Sequence, residues 1–242
     1  FPAVLLFRGY VDLEIYAPGV GTSRVGEAFA SAGFITLAPD FLGYGTSSSP
    51  SAQPIEERFE TYTTALNMLA SVKNLNTAFE QAQILSTTAD TDHIGIWGHS
   101  NGGQIALSTL AITGEAYPAV LWAPVSKPFP YSILYYTDEY EDHGKTLRKV
   151  VADFEKDYDS ELFSPSNYFT FIQAPLQIHQ GGADEAVPLR WSDQFVSTLK
   201  GLDKEITYYT YPNENHNFTS GSWPLAVSRS ISFYRNAFSK TQ

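Results

Sequence analysis

Apolar residues in this chain fall into short unbroken runs, separated by stretches in which they recur every three to four positions. Strands buried on both faces, alternating with amphipathic helices, produce that pattern. Residues 1–7 and 34–38 are predicted as buried strands. Between them Ser23 is expected to cap a helix with Val25, Ala28, Phe29 and Ala32 on one face, ended by Gly33. Ile55, Phe59, Tyr62, Leu66 and Leu69 recur at helical spacing and predict a helix over 55–72, whereas 74–92 reads as a short helix and a loop. Further strands are predicted at 93–99, 119–122, from 174 and at 205–211, with helices at 104–113, 189–199 and 223–238. Repeated strand, helix, strand units make right-handed crossovers, so the expected class is α/β, a mostly parallel sheet of about six strands with helices on both faces.

Residues 123–171 break the pattern. They are rich in Tyr, Pro and charge, and too long for a plain connection. We expect a partly helical cap at about 125–170, lying over Ser100 and lending Phe129, Tyr131, Tyr135 and Tyr136 to a substrate pocket.

Candidate chemistry enters at residues 98–102, Gly-His-Ser-Asn-Gly, with a predicted strand before and a helix after. A strand that turns sharply into a helix puts Ser100 at the apex and needs Gly98 and Gly102 without side chains. A serine hydroxyl is a poor nucleophile until a base takes its proton. Downstream, Asp184 lies in a Gly-rich turn after one predicted strand and His216 in a loop after another. The order Ser, acid, His, each past a strand's carboxyl end, is that of a Ser100–His216–Asp184 triad. Glu185 is expected to face away from Asp184's side, and His179, out of triad order, to be a core residue. One oxyanion donor is expected at the Asn101 backbone N–H, at the start of the helix, and the other in the turn Arg8-Gly9-Tyr10.

The pieces FRGY, APDFLGYG, GHSNGG, and GGADEAVP with NENHNF resemble the α/β-hydrolase fold of the prolyl oligopeptidase and dienelactone hydrolase-like branch, which includes small esterases and feruloyl esterases. The resemblance runs over residues 1–238. It implies serine hydrolase chemistry without a cofactor, a structural Asp40, and Tyr10 as second oxyanion donor, through its N–H as in feruloyl esterases or its hydroxyl as in prolyl oligopeptidases. Two departures stand out. Members carry one or two strands before the first one here, so the chain reads as a trimmed or processed catalytic domain. Arg8 replaces the His of a His-Gly pair and changes the charge beside the oxyanion site. Arg8, His99, Tyr135, Tyr136, Trp191 and Trp223 are the candidate substrate contacts, while Trp97 and Trp122 are assigned to the core.

Composition narrows the partners. At 242 residues and 43% hydrophobic content, one catalytic domain over 1–242 is expected. A net charge of -11 with only 15 Lys and Arg argues against nucleic acid or an anionic membrane surface. Zero Cys excludes disulfides and a thiol nucleophile. No apolar run approaches a membrane span, and the histidines are not spaced as metal ligands, so neither span nor metal is expected. A secreted or periplasmic location is favoured over a cytoplasmic one. The leading expectation is hydrolysis of small-molecule carboxylic esters with an aromatic or bulky group through an acyl-enzyme. A serine peptidase acting on short peptides is the alternative, and a non-catalytic hydrolase-fold binding protein ranks third.

Overall fold

The computed structural model describes residues 1–240. In chain order the elements are β1 (Pro2–Phe7), α1 (Ser23–Ser31), β2 (Ile35–Leu37), α2 (Pro54–Ser71), α3 (Leu75–Gln81), β3 (Asp90–His99), α4 (Asn101–Thr113), β4 (Ala119–Trp122), α5 (Tyr131–Leu134), α6 (Lys145–Phe154), β5 (Leu176–Gly181), α7 (Leu189–Gly201), β6 (Ile206–Tyr211) and α8 (Trp223–Ser239). The six strands form one sheet in the order β2-β1-β3-β4-β5-β6, and every neighbouring pair is parallel. Chain order reverses between β1 and β3, and at such a switch point the loops leaving neighbouring strands part to open a crevice. Here Phe7 pairs with Gly98, so the turns after β1 and β3 stand side by side.

Alternation along β1 sends Ala3, Leu5 and Phe7 to one face and Val4 and Leu6 to the other. The first face packs against α2, α4 and α7 through residues such as Ala65, Ile105 and Phe195. The second packs Trp97 and Trp122 against α1 and α8, with both indoles 3% exposed, as their assignment to the core required. β2 is only half-buried along its length, which corrects the expectation of a buried strand: it lies at the sheet edge with a single neighbour. Ser23 does not cap α1. It lies inside the helix, and its hydroxyl donates back to the Gly19 carbonyl while Thr22 occupies the cap position.

Residues 123–171 hold α5, α6 and three short 3-10 turns. Their hydrophobic centre is shared with α2: the Phe59 ring stacks on Phe163 at 4.8 Å and meets Phe129 edge-on at 5.4 Å. Phe129 is therefore not a pocket residue. At 3% exposure it belongs to the apolar seam that fastens this segment to α2. Among the described residues no helix is long and apolar enough to cross a membrane.

Candidate active site

The elbow begins with backbone geometry. Ser100 has φ 56° and ψ -122°, a left-handed conformation for a residue with a β-carbon, at a cost of about 1–3 kcal/mol. Its surroundings hold it there. The Ser100 N–H donates to Trp122 O at 2.9 Å, and the Ser100 carbonyl accepts from Gly103 N and Val125 N, both at 3.0 Å. The glycines matter through absence of bulk: a β-carbon on Gly102 would stand 1.9 Å from the Phe7 carbonyl oxygen, and one on Gly98 2.4 Å from Gly102 O. Because α4 starts at Asn101, the positive end of its dipole faces the serine.

Asp184 and His216 come from the turns after β5 and β6, which are neighbours in the sheet. The Asp184 side chain is fully buried, and both its oxygens accept from His216 Nδ1, at 3.0 and 2.9 Å. Ala186 N and Val187 N donate to Oδ1 at 2.9 and 2.8 Å, and Gln180 Nε2 donates to Oδ2 at 2.9 Å. A carboxylate saturated with donors in this way is an acceptor of fixed orientation. Gln180 escaped the sequence reading because a glutamine inside an apolar strand carries no motif, yet its amide also spans Val187 O and Ser192 Oγ and braces the whole acid turn. Glu185, expected to face elsewhere, in fact reaches the same histidine: its carboxylate accepts from His216 N at 3.4 Å. No hydrogen bond joins Ser100 Oγ to the imidazole among the described residues.

His99, offered as a substrate contact, packs against the His216 ring. Its Nε2 is 2.9 Å from the His216 carbonyl oxygen, and the two rings pack at 4.6 Å. Desolvation, followed by the neighbouring His216, pushes its pKa down to about 4. His179 is the buried core histidine the sequence suggested, at 0% exposure, held by Tyr211 Oη at 2.7 Å and Gln177 Oε1 at 2.8 Å. Desolvation, then Arg229, pushes it down to about 3. Both native values lie below the ordinary 6.5 of histidine, so the unfolded chain binds more protons as pH falls below that value. Stability is then full above about pH 6.5 and declines as the pH drops toward 4, by an amount on the order of several kcal/mol. Urea midpoints measured from pH 7.5 to 5 should fall steadily, and a flat profile would mean that these imidazoles are not kept neutral.

On the other side of Ser100 a cavity of about 220 Å³ opens among Arg8, Gly9, Tyr10, Tyr44, Arg58 and Asn101. A larger hollow of about 520 Å³ lies at the amino ends of the strands, beside Pro118, Pro175 and Glu205, and contains none of the candidate catalytic residues. Tyr10 is 77% exposed, with its hydroxyl donated to Asp12 Oδ1 at 2.7 Å. That bond, then burial, pushes the phenol up to about 12. Arg8 is 5% exposed, with its guanidinium beneath Tyr44 and Tyr16, so it forms part of the cavity wall without reaching into the open. The Tyr16 hydroxyl in turn bonds Asp40, which supports the structural role read for that acid.

Arg58, which the sequence reading passed over as one charge on an amphipathic helix, is the unanticipated member. It projects from α2 toward the start of α4, and its Nη2 donates to Asn101 Oδ1 at 3.2 Å. Desolvation lowers its pKa, with Tyr62, Tyr136 and Tyr140 the nearest opposing influences. Burial and then the Asp184 charge raise the Tyr136 phenol. Trp191, expected as a pocket wall, is 1% exposed and covered by Tyr135 at 4.6 Å and Tyr136 at 6.3 Å. It supports those two rings from below. Trp223 lies elsewhere, stacked under the Arg24 guanidinium at 4.0 Å in a cleft it shares with Trp97 and His99.

Comparison with known proteins agrees with this architecture. The chain is 26% identical over 217 residues to the uncharacterized peptidase YtmA of Bacillus subtilis, covering 88% of this chain and 77% of that one. It is 30% identical over 135 residues to dipeptidyl aminopeptidase BIII of Pseudoxanthomonas mexicana, 52% of this chain but only 19% of that much longer protein. Est1E from Butyrivibrio proteoclasticus, solved with ferulic acid bound, superposes with a TM-score of 0.63 at 15% identity, covering 99% of this chain and 89% of that one. The family model for the prolyl oligopeptidase family matches residues 20–241. With a parallel six-stranded sheet, a serine at the elbow and a family match over nearly its whole length, the chain belongs to the prolyl oligopeptidase family and is a serine hydrolase of the α/β-hydrolase fold.

Proposed function

We propose that Ser100, His216 and Asp184 are the catalytic triad of a carboxylic ester hydrolase that acts through an acyl-enzyme on small-molecule esters with an aromatic or bulky group. The observation that carries this reading is the buried Asp184 carboxylate gripping His216 Nδ1 with both oxygens, together with a serine held at φ 56° in the turn after β3. With Nδ1–H donated to Asp184, the imidazole presents an unprotonated Nε2 to the serine. In the substrate complex the Ser100 hydroxyl closes onto Nε2, and Oγ attacks the ester carbonyl as its proton passes to His216. Asn101 N–H and Tyr10 N–H receive the oxyanion. The backbone of Tyr10 is chosen over its hydroxyl because the hydroxyl is already committed to Asp12. The tetrahedral intermediate collapses, the alcohol leaves with the proton from His216, and water repeats the sequence on the acyl-enzyme.

Residues 123–171 act in this reading as the cap, with Tyr135 and Tyr136 packed on Trp191. Arg58 offers a desolvated donor to an oxygen-rich acyl group. An Arg58→Met variant is expected to raise KM about tenfold for feruloyl-type esters and less for acetyl esters, the worth of one hydrogen bond from a charged donor. Equal changes for both acyl groups would remove Arg58 from substrate recognition.

Short peptides are the second reading, supported by the family and by the relatives named as peptidases. Esters rank first because the cavity lined by Gly9, Tyr10 and Asn101 is only about 220 Å³, room for a single aromatic acyl group more than for an extended chain. Turnover of an ester panel from acetyl to feruloyl, set against blocked prolyl and alanyl anilides, decides between them. Anilide turnover equal to the best ester reverses the order.

A further inference from the structure

The peptide that joins Gly9 to Tyr10 carries the Gly9 carbonyl on one edge and the Tyr10 N–H on the other, pointing opposite ways across a trans plane. Whatever holds that carbonyl also aims that N–H. Arg8 Nη1 donates to Gly9 O at 3.0 Å. The rest of the guanidinium makes no directed bond among the described residues, since Nε and Nη2 are buried without partners. Its position is set by aromatic faces, with the Tyr44 ring at 4.1 Å, Tyr16 at 4.8 Å and Phe41 at 5.4 Å. Burying a cation with so few hydrogen bonds is costly, and a sequence keeps such an arrangement when the one bond it makes has work to do. That bond lies next to the nucleophile: a β-carbon on Gly9 would stand 2.9 Å from Ser100 Cβ and 3.5 Å from its Oγ.

We propose that Arg8 is a positioning residue for the oxyanion site, fixing the plane of the Gly9–Tyr10 peptide so that the Tyr10 N–H meets the oxygen that becomes negative. The inference rests on the serine-hydrolase reading above and on Tyr10 acting through its backbone. Two physical effects combine. Rigid placement removes the cost of reorienting the donor when charge develops, which is where preorganised donors gain their advantage. A cation on the carbonyl also withdraws density through the amide, so the N–H at the other end becomes a stronger donor. Neither effect operates on bound ester as strongly as on the tetrahedral species, so the interaction belongs in kcat more than in KM. In this role Arg8 acts through the Gly9–Tyr10 peptide.

The test uses Arg8→Met and Arg8→Lys in the full chain, with folded sites counted by fluorophosphonate titration and rates expressed per titrated site. The probes are an aryl acetate and phenylboronic acid, whose tetrahedral serine adduct occupies the oxyanion site. Arg8→Met is expected to lose about 10- to 100-fold in kcat, less than deletion of a whole donor, with KM nearly unchanged and boronate affinity lowered by the same factor as kcat/KM. Arg8→Lys, which keeps the charge but loses the planar fork, is expected to fall between the two. If Arg8→Met does not fold, the lysine variant carries the test through the same paired loss. Unchanged kcat and boronate affinity per titrated site, in whichever variant folds, overturns the proposal and leaves the triad reading standing. A wild-type protein that neither hydrolyses the ester nor binds the boronate takes both readings down together.

Discussion

Ser100→Ala is expected to lower kcat for ester hydrolysis by about ten-thousand- to a million-fold while leaving the fold intact. The size follows from removing the nucleophile of a unit whose members act together, so that only the oxyanion donors and binding remain to help water attack. The fold should survive because alanine keeps the β-carbon, and the contacts that hold position 100 at φ 56° are backbone bonds to Trp122, Gly103 and Val125. A thermal midpoint within a few degrees of wild type, together with complete loss of fluorophosphonate labelling, is the predicted signature. Residual turnover above a tenth of wild type would show that another group attacks the ester, and the whole assignment would have to be rebuilt around it.

The second large effect concerns stability and lies two residues away. A methyl group on Gly102 would press to 1.9 Å from the Phe7 carbonyl oxygen and 2.6 Å from that of Arg8, backbone atoms at the end of β1 and in the turn that follows it. No rotamer change relieves such a contact. Either α4 shifts away from the sheet, or β1 bends at the point where it delivers Arg8 and Gly9 to the site. Gly102→Ala is therefore expected to destabilise by on the order of 4 kcal/mol or more, beyond ordinary overpacking, and to lower Tm by about 10 °C in a domain of this size. A tolerated substitution, with unchanged Tm, would falsify the close approach of α4 to β1 on which the elbow depends. Where the variant still folds, its activity should fall too, because the oxyanion turn and the nucleophile would separate.

Several of these residues were legible before any coordinates. Ser100 announced itself through glycines at both flanks, a spacing that only a crowded turn demands. Asp184 and His216 stood out as candidates because each follows an apolar run by a few residues, and the end of a parallel strand is where a side chain reaches the crevice; the structure pairs them with each other. The alternation of strands and helices was equally readable, since apolar periodicity is a local property of the chain. Errors clustered where a residue's environment depends on distant segments. β2 read as buried, but its position at the sheet edge is a matter of strand order. Phe129 and Trp191 read as pocket walls, yet each is covered by aromatic rings contributed from elsewhere in the chain.

What the order of residues determined on its own was therefore the class of fold, together with the candidates proposed as nucleophile, acid and base, because these depend on short-range periodicity and on turn chemistry. Only the tertiary structure decided that Arg58 reaches Asn101 across 43 positions, that Gln180 braces Asp184, and that Arg8 turns inward to the Gly9 carbonyl instead of outward to substrate. An arginine in a sequence is a long flexible cation with many possible partners. Which one it takes is settled by the walls that exclude water around it, and those walls exist only after the chain has folded.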